Sequence, residues 1–123
     1  MKIDIITSLL ILVLHTVVPA YAEVPENQKP EVTHLLEYVR TSDCKFDRNG
    51  KLYDGERAYK HIKGKYEYFV DDITSTETFI EYAATKSMMS GKYYMVSCGD
   101  SAPVKLADWL DEELTRYRAV NDN

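Results

Sequence analysis

The sequence lacks the patterns from which an activity is usually read. It contains no His-Glu-x-x-His zinc helix, no Gly-x-Ser-x-Gly nucleophile turn and no phosphate-cradling loop. Past residue 22 only His34 and His61 remain as histidines, on separate elements, with no second histidine at i+4. Cysteine is nearly absent: two residues, no Cys-x-x-Cys pair, and no histidine partner that would make either one a nucleophile. Positive charge is not in excess. The net charge is −5, which suits a soluble protein and argues against binding DNA, RNA or anionic lipid through a global field. Past residue 22 no apolar run approaches the roughly 20 residues that span a bilayer. There is no internal repeat and no low-complexity tract.

What is present begins with an export pattern. Lys2 gives a short positive start, weakened by Asp4. Residues 5–18 are mostly Ile, Leu and Val, interrupted by Thr7, Ser8, His15 and Thr16. Pro19 breaks the run, and Ala20-Tyr21-Ala22 puts small residues where a signal peptidase needs them. The apolar run is about 14 residues, about 21 Å as a helix, short of a bilayer core of about 30 Å. Residues 1–22 therefore read as a cleavable signal peptide, with a retained anchor as the alternative, and no stable membrane span after cleavage. In an oxidising compartment an even cysteine count favours a Cys44–Cys98 disulfide over two buried thiols.

The remaining hundred or so residues suit one domain. Residues 23–29 read as a flexible lead-in, 30–119 as a single α+β domain and 120–123 as a frayed tail. Pro30 and Glu31 suit a helix start, and Val32, Leu35, Leu36 and Val39 recur at helical spacing over residues 30–41. Asn49-Gly50 predicts a hairpin over 44–53. Asp54 predicts the cap of a second helix reaching about residue 70. Thr74 or Ser75, with Glu77, predicts a third helix stopped by Ser90-Gly91. Residues 92–98 read as a strand with Tyr94, Val96 and Cys98 on one face, and 103–118 as a last helix. The expected fold is about four helices on a small antiparallel sheet, hairpin 44–53 plus strand 92–98.

With these elements placed, Cys44-x-Phe46-x-Arg48-Asn49-Gly50 resembles the opening of the YfeK-like family, small exported bacterial proteins of unknown function. The resemblance continues through Ala58-x-x-His61-Ile62-x-x-Lys65, Thr78-Phe79-Ile80, Lys86-Ser87 and Ser90-Gly91-Lys92-x-Tyr94. It ends with Trp109-Leu110 and Leu114-x-x-Tyr117-Arg118, so it covers about residues 35–118. Tyr93 stands where the family leads one to expect Pro. The resemblance implies a periplasmic or secreted protein. It implies no activity and carries over no catalytic residue.

Several groups are candidates for chemistry. Asp47-x-Asn49-Gly50 opens like a calcium loop, but Lys51 and Leu52 follow where ligands are needed, so a hairpin turn is the simpler reading. His34 and His61 could be ligands or bases but lie on separate elements, and His61, at the edge of an apolar stripe, reads as a half-buried residue bonded to backbone. Asp108, Asp111, Glu112 and Glu113 read as a solvated helix face. The sharpest asymmetry is positive charge: residues 45–65 carry seven basic against three acidic residues, +4, leaving −9 on the rest past residue 22. Arg48, Arg57, Lys60 and His61 thus form the candidate anion- or partner-binding patch. Tyr53, Tyr59, Tyr66, Tyr68, Tyr93 and Tyr94 either share one core or, led by Tyr53 and Tyr93, make an aromatic recognition face.

No cofactor, metal or catalytic set is indicated, and the sequence carries no signal of oligomeric state. The expected role is a periplasmic interaction module that binds another envelope or secreted protein, of inhibitor, immunity or accessory type. A cell-envelope enzyme or its subunit is the alternative, and a structural envelope protein the third. An open polar pocket around His61 would favour the enzyme; a flat tyrosine-rich face would favour the binder. If the export reading is right, Edman sequencing of the protein recovered from the periplasm of an expressing Gram-negative cell begins at Glu23. Recovery from the cytosol with Met1 intact would overturn it.

Overall fold

The structure, a computed structural model, describes residues 10–14 and 23–122. The segment read as a signal peptide therefore lies outside the described residues, apart from residues 10–14, whose side chains are exposed. No helix among the described residues is long and apolar enough to cross a membrane.

Helix α1 (Lys29–Arg40) starts with Pro30, whose missing N–H would be unsatisfied there in any case, and buries Val32, Leu35 and Val39. The lead-in before it is packed: Val24 is 4% exposed, and Gln28 Oε1 accepts from the Thr76 amide at 2.8 Å. Strands β1 (Lys45–Arg48) and β2 (Lys51–Tyr53) form the hairpin, with Asn49 at φ 57° and Gly50 at φ 84°. Both central residues are left-handed, the geometry that matches strand twist in a two-residue turn. Helix α2 (Gly55–Tyr68) is capped as expected, Asp54 accepting from the Arg57 amide at 2.9 Å. It ends in a 3₁₀ turn at Val70–Asp72.

Helix α3 (Thr76–Ala83) is capped by Ser75, one of the two expected caps, but departs from expectation in its capping-box partner and at its far end. Its capping box pairs Ser75 with Thr78, not Thr74 with Glu77. The Thr78 hydroxyl accepts from the Ser75 amide at 2.9 Å, while Glu77 is drawn away to Arg118. The helix stops at Ala83, well before Ser90-Gly91. The Thr85 hydroxyl bonds back to the Ile80 carbonyl at 2.8 Å, and residues 85–94 fold into a small loop. In that loop Lys86 faces Tyr93 in an isolated bridge, and Gly91, at φ 70°, serves the loop turn instead of a helix end.

Strand β3 (Met95–Ser97) is shorter than the expected strand, and a two-residue strand β4 (Val104–Lys105) precedes α4 (Leu106–Asn121). The last helix runs past Ala119, where fraying was expected. The sheet is antiparallel throughout, in the order β2-β1-β3-β4. The architecture is α+β: four helices and a small antiparallel sheet. Phe46 sits opposite Tyr53 on one side and Val96 on the other. Phe46 and Val96 are buried towards the helices, whereas Leu52 is exposed on the other face. Leu35, Ile62, Ile73, Phe79 and Leu110 make the centre of the core.

Two devices fasten this arrangement. Cys44 and Cys98 are bonded across the ends of β1 and β3, with Cα atoms 4.3 Å apart and a sequence separation of 54. Closing a loop of that length stabilises the fold by about 4 kcal/mol on the chain-entropy account. The second is ionic. Arg118 donates to both oxygens of Glu31 (2.7 and 3.0 Å) and to Glu77 (2.6 Å), and the Thr76 hydroxyl donates to Glu31 at 2.7 Å. The network ties α4 to α1 and α3, and the hydrogen bonds from Arg118 hold both carboxylates below their ordinary range.

Gly55 is where α2 meets the end of α1. A Cβ there would collide with the carbonyl oxygen of Val39 and lie 2.9 Å from those of Arg40 and Ser42. Gly64, in the same helix, has open space around it. Gly55→Ala should therefore destabilise by about 1–3 kcal/mol through overpacking, while Gly64→Ala stabilises by up to about 1 kcal/mol through helix propensity. Urea unfolding of the two variants checks this; equal shifts would refute the close approach.

Candidate functional site

Strand alternation builds one wall of the site. Side chains two apart share a face, so Arg48 points the same way as Phe46, and Tyr94 extends the face of Val96. Tyr53 stands opposite Phe46 on the neighbouring strand. Helix α2 supplies the other wall, where Ala58, His61, Ile62 and Lys65 fall at helical spacing. Between them lies a cleft of about 490 Å³. Its floor is Phe46, Ala58, Ile62 and Leu106, and its rim carries Arg48, Arg57, Lys60 and His61.

A directed chain of hydrogen bonds crosses the cleft. Arg48 Nη1 lies 2.5 Å from His61 Nδ1, and His61 Nε2 lies 3.1 Å from the Tyr94 hydroxyl. A guanidinium can only donate, so Nδ1 accepts and the ring proton sits on Nε2, which donates to Tyr94. Lys65 Nζ also donates to the Tyr94 hydroxyl at 3.1 Å, and to the Lys86 carbonyl at 2.9 Å. Tyr94 thus receives two hydrogen bonds and retains its own proton to give. Arg48 Nη2 donates to the Tyr53 hydroxyl at 3.2 Å. Around the Tyr53 ring stand Arg48 at 4.9 Å, Arg57 at 5.5 Å and Lys51 at 5.7 Å.

Positive charge in the cleft is uncompensated. Among the described residues Arg48, Arg57, Lys60 and Lys65 form no ion pair, whereas Arg40, Arg116 and Arg118 all do. Burial, and then the charges of Arg48 and Lys65, push the His61 imidazole down to about 4. Burial and then Arg48 lower the Lys65 ammonium as well. Burial raises the Tyr94 phenol, against the pull of Arg48. His61 is therefore neutral at pH 7, and it separates two cations.

The four residues of the expected patch, Arg48, Arg57, Lys60 and His61, line one cleft, and Tyr53 stands at its edge. Tyr93 does not join them. It is 49% exposed, on the opposite strand face, and lies under Lys105 Nζ at 4.2 Å from the ring centre. Tyr53 and Tyr93 therefore make no common aromatic face. Tyr66 packs edge-on against Phe79 in the core, while Tyr68 is exposed beside Phe69. Lys65 and Tyr94 are the residues not singled out in the sequence. The spacing of His61 and Lys65, one helical turn apart on an apolar stripe, was the signal available for the first.

The other candidates are engaged elsewhere. Asp47 accepts from the Gly50 amide at 2.8 Å and closes the hairpin turn. Asn49 bonds Ser90 at 2.5 Å and Ser87 at 3.3 Å, tying the turn to the 85–94 loop. His34 lies 3.0 Å from Glu113 and stacks on Tyr117, ring centres 4.4 Å apart. Glu113 is not on a solvated face: its side chain is 13% exposed and also accepts from Arg116 at 2.8 Å.

A family model described as a family of unknown function, DUF5329, matches residues 26–118, which include every residue of the cleft. The uncharacterized protein YfeK of Salmonella typhimurium (strain LT2) is 30% identical to the chain over 77 residues. Those residues are 62% of this chain, and the match spans 64% of that relative, just under two thirds of its length. No solved structure matches the chain.

The depressed His61 value has a consequence for stability. Its folded value, about 4, lies below the ordinary 6.5, so between them the unfolded chain binds more protons than the folded one. Stability is fully present above pH 6.5 and falls as the pH drops towards 4. His61→Gln should flatten that slope between pH 6.5 and 5, above the range in which Glu31 and Glu77 titrate. Urea midpoints across the window decide, and an unchanged slope in the variant would refute the assignment.

Proposed function

The chain belongs to the DUF5329 family, whose function is unknown, and we propose that it is a binding module working outside the cytoplasm, its cationic cleft holding an anionic group of an envelope or secreted protein. The observation that carries this reading is the set of three unpaired cations, Arg48, Arg57 and Lys60, that line one cleft, with Lys65 beside them on the Tyr94 hydroxyl, in a chain of net charge −5. Gathering like charges disfavours the folded state unless something of opposite sign offsets them. In the Glu31–Arg118–Glu77 network the offset is internal; in the cleft it is absent among the described residues. The export pattern of residues 1–22 and the Cys44–Cys98 bond support an extracytoplasmic setting. An inhibitor, immunity-type or accessory role towards such a partner fits a domain of this size.

A second reading, an enzyme, is favoured by one observation. His61 and Lys65, both shifted from their ordinary values, share an open cleft, as catalytic groups often do. Against it stands the geometry. Both His61 nitrogens are engaged, by Arg48 and Tyr94, and among the described residues no Ser, Thr or Cys bonds to the imidazole. No carboxylate orients it, so the base, nucleophile and orienter of a hydrolytic site do not converge.

The test is capture from an envelope extract by the wild-type protein and by Arg48→Ala/Lys60→Ala. The wild type should retain a partner that the double variant loses, and roughly 0.5 M salt, where the screening length falls to about 4 Å, should release it. Equal retention by both proteins would overturn the reading.

A further inference from the structure

Building on the binding reading, we infer that the anionic group the cleft takes is a carboxylate joined to an apolar body, either a free organic acid or the C-terminus of a chain that ends in an apolar side chain. Three features of the cleft lead to this class.

The first is the donor set. Arg48 uses Nη1 on His61 and Nη2 on Tyr53. Each of these nitrogens bears a second hydrogen, and Nε is uncommitted. A guanidinium fork matches a planar carboxylate in two parallel hydrogen bonds. The Tyr94 hydroxyl accepts from both His61 and Lys65, so its own proton is available to an acceptor in the cleft.

The second is what the cleft withholds. Phosphate and sulfate are commonly held by free backbone amides at a helix start or a glycine turn. Both kinds of amide occur here, and one of each, at Arg57 and at Gly50, is already taken by a carboxylate. Asp54 accepts from the Arg57 amide at 2.9 Å, and Asp47 from the Gly50 amide at 2.8 Å.

The third is the floor. Phe46, Ala58, Ile62 and Leu106 lie beneath the charged rim, in a volume of about 490 Å³. That falls in the range of about 300–1,000 Å³ typical of small-ligand sites and exceeds what a bare carboxylate fills. Each methylene buried against such a floor strengthens binding by roughly fourfold.

Isothermal titration calorimetry at pH 7 and low salt tests the class with 3-phenylpropionate, its neutral amide, acetate and inorganic phosphate. We expect 3-phenylpropionate to bind at least tenfold more tightly than acetate or phosphate, and the amide to lose that gain. Arg48→Gln should lose tenfold or more, and Arg48→Lys, which keeps the charge without the fork, should recover only part of it. Tyr94→Phe should lose severalfold. Unchanged thermal melts by circular dichroism establish that the variants are folded. The peptide acetyl-Ala-Ala-Phe, free and amidated, separates the sources: tighter binding of the free peptide than of 3-phenylpropionate indicates a chain terminus, and weaker binding a free acid. Phosphate binding as tightly as 3-phenylpropionate, or acetate doing so, overturns the carboxylate-and-body class while the cationic binding site stands. Absence of binding by every anion overturns both.

Discussion

The register of β1 against β3 is the constraint on which the rest depends. The two strands are joined by β2, two whole helices and a loop, so their pairing must be specified by side chains and not by a turn. Three features specify it. Phe46 opposite Val96 puts two buried side chains on the helix face, and a slip of one residue would turn the side chain of the slipped strand out to solvent. The Cys44–Cys98 bond fixes one end of the pair. At the other end Asn49 holds Ser90 and Ser87, and the chain Arg48–His61–Tyr94 joins strand, helix and strand. Because side chains alternate with a period of two, the register that buries Phe46 also aims Arg48 into the cleft. The fold cannot keep its core and lose its cations.

Charge is treated oppositely on the two sides of the molecule. Where α4 crosses α1 and α3, Arg118 is matched by Glu31 and Glu77, and Thr76 satisfies what remains of Glu31. Glu31 is 8% exposed, so losing Arg118 would leave a nearly buried carboxylate unpaired, a defect of about 3 kcal/mol. That network holds helices in place and leaves nothing over for a ligand. In the cleft the cations are held by rings, carbonyls and hydroxyls: Arg48 by Tyr53, Lys65 by Tyr94 and the Lys86 carbonyl. Such partners orient a cation without neutralising it, so its field remains directed at whatever enters.

Much of this was legible in the sequence, and the parts that were not share a cause. Local chemistry was readable: Pro30 opening α1, Asn49-Gly50 making the turn and Asp54 capping α2 need only residues within a few positions of one another. The +4 balance of residues 45–65 likewise located the cleft's basic residues, because β1 and α2 are neighbours in chain and in space. The misses were decided at long range. Glu77 would complete a capping box by sequence, but Arg118, 41 residues away, draws it off and Thr78 takes the role. The end of α3 was set by Thr85 and by a loop anchored on Asn49. β4 is two residues long and exists only because Val96 and Met95 offer an edge. Tyr93 and Tyr94 are adjacent and chemically identical, and only strand pairing shows that Tyr94 belongs to the site and Tyr93 does not.

The same pairing explains why His61 is at the centre of the cleft without being its reactive group. Between Arg48 and Lys65 a protonated imidazole would be a third cation with Nδ1–H turned towards a guanidinium, so the neutral ring is held instead. In that state it accepts from Arg48 and donates to Tyr94, which fixes the direction of every hydrogen bond in the chain and turns the Tyr94 proton loose. A general base must have a free lone pair facing the proton it removes, and Arg48 already covers the one lone pair this tautomer has. What the arrangement offers instead is a row of donors at the Tyr94 end and a fixed positive charge at the Arg48 end, above an apolar floor. The recognition of an anion proposed above calls for such groups, and their positions follow from the burial of Phe46, Ile62 and Val96.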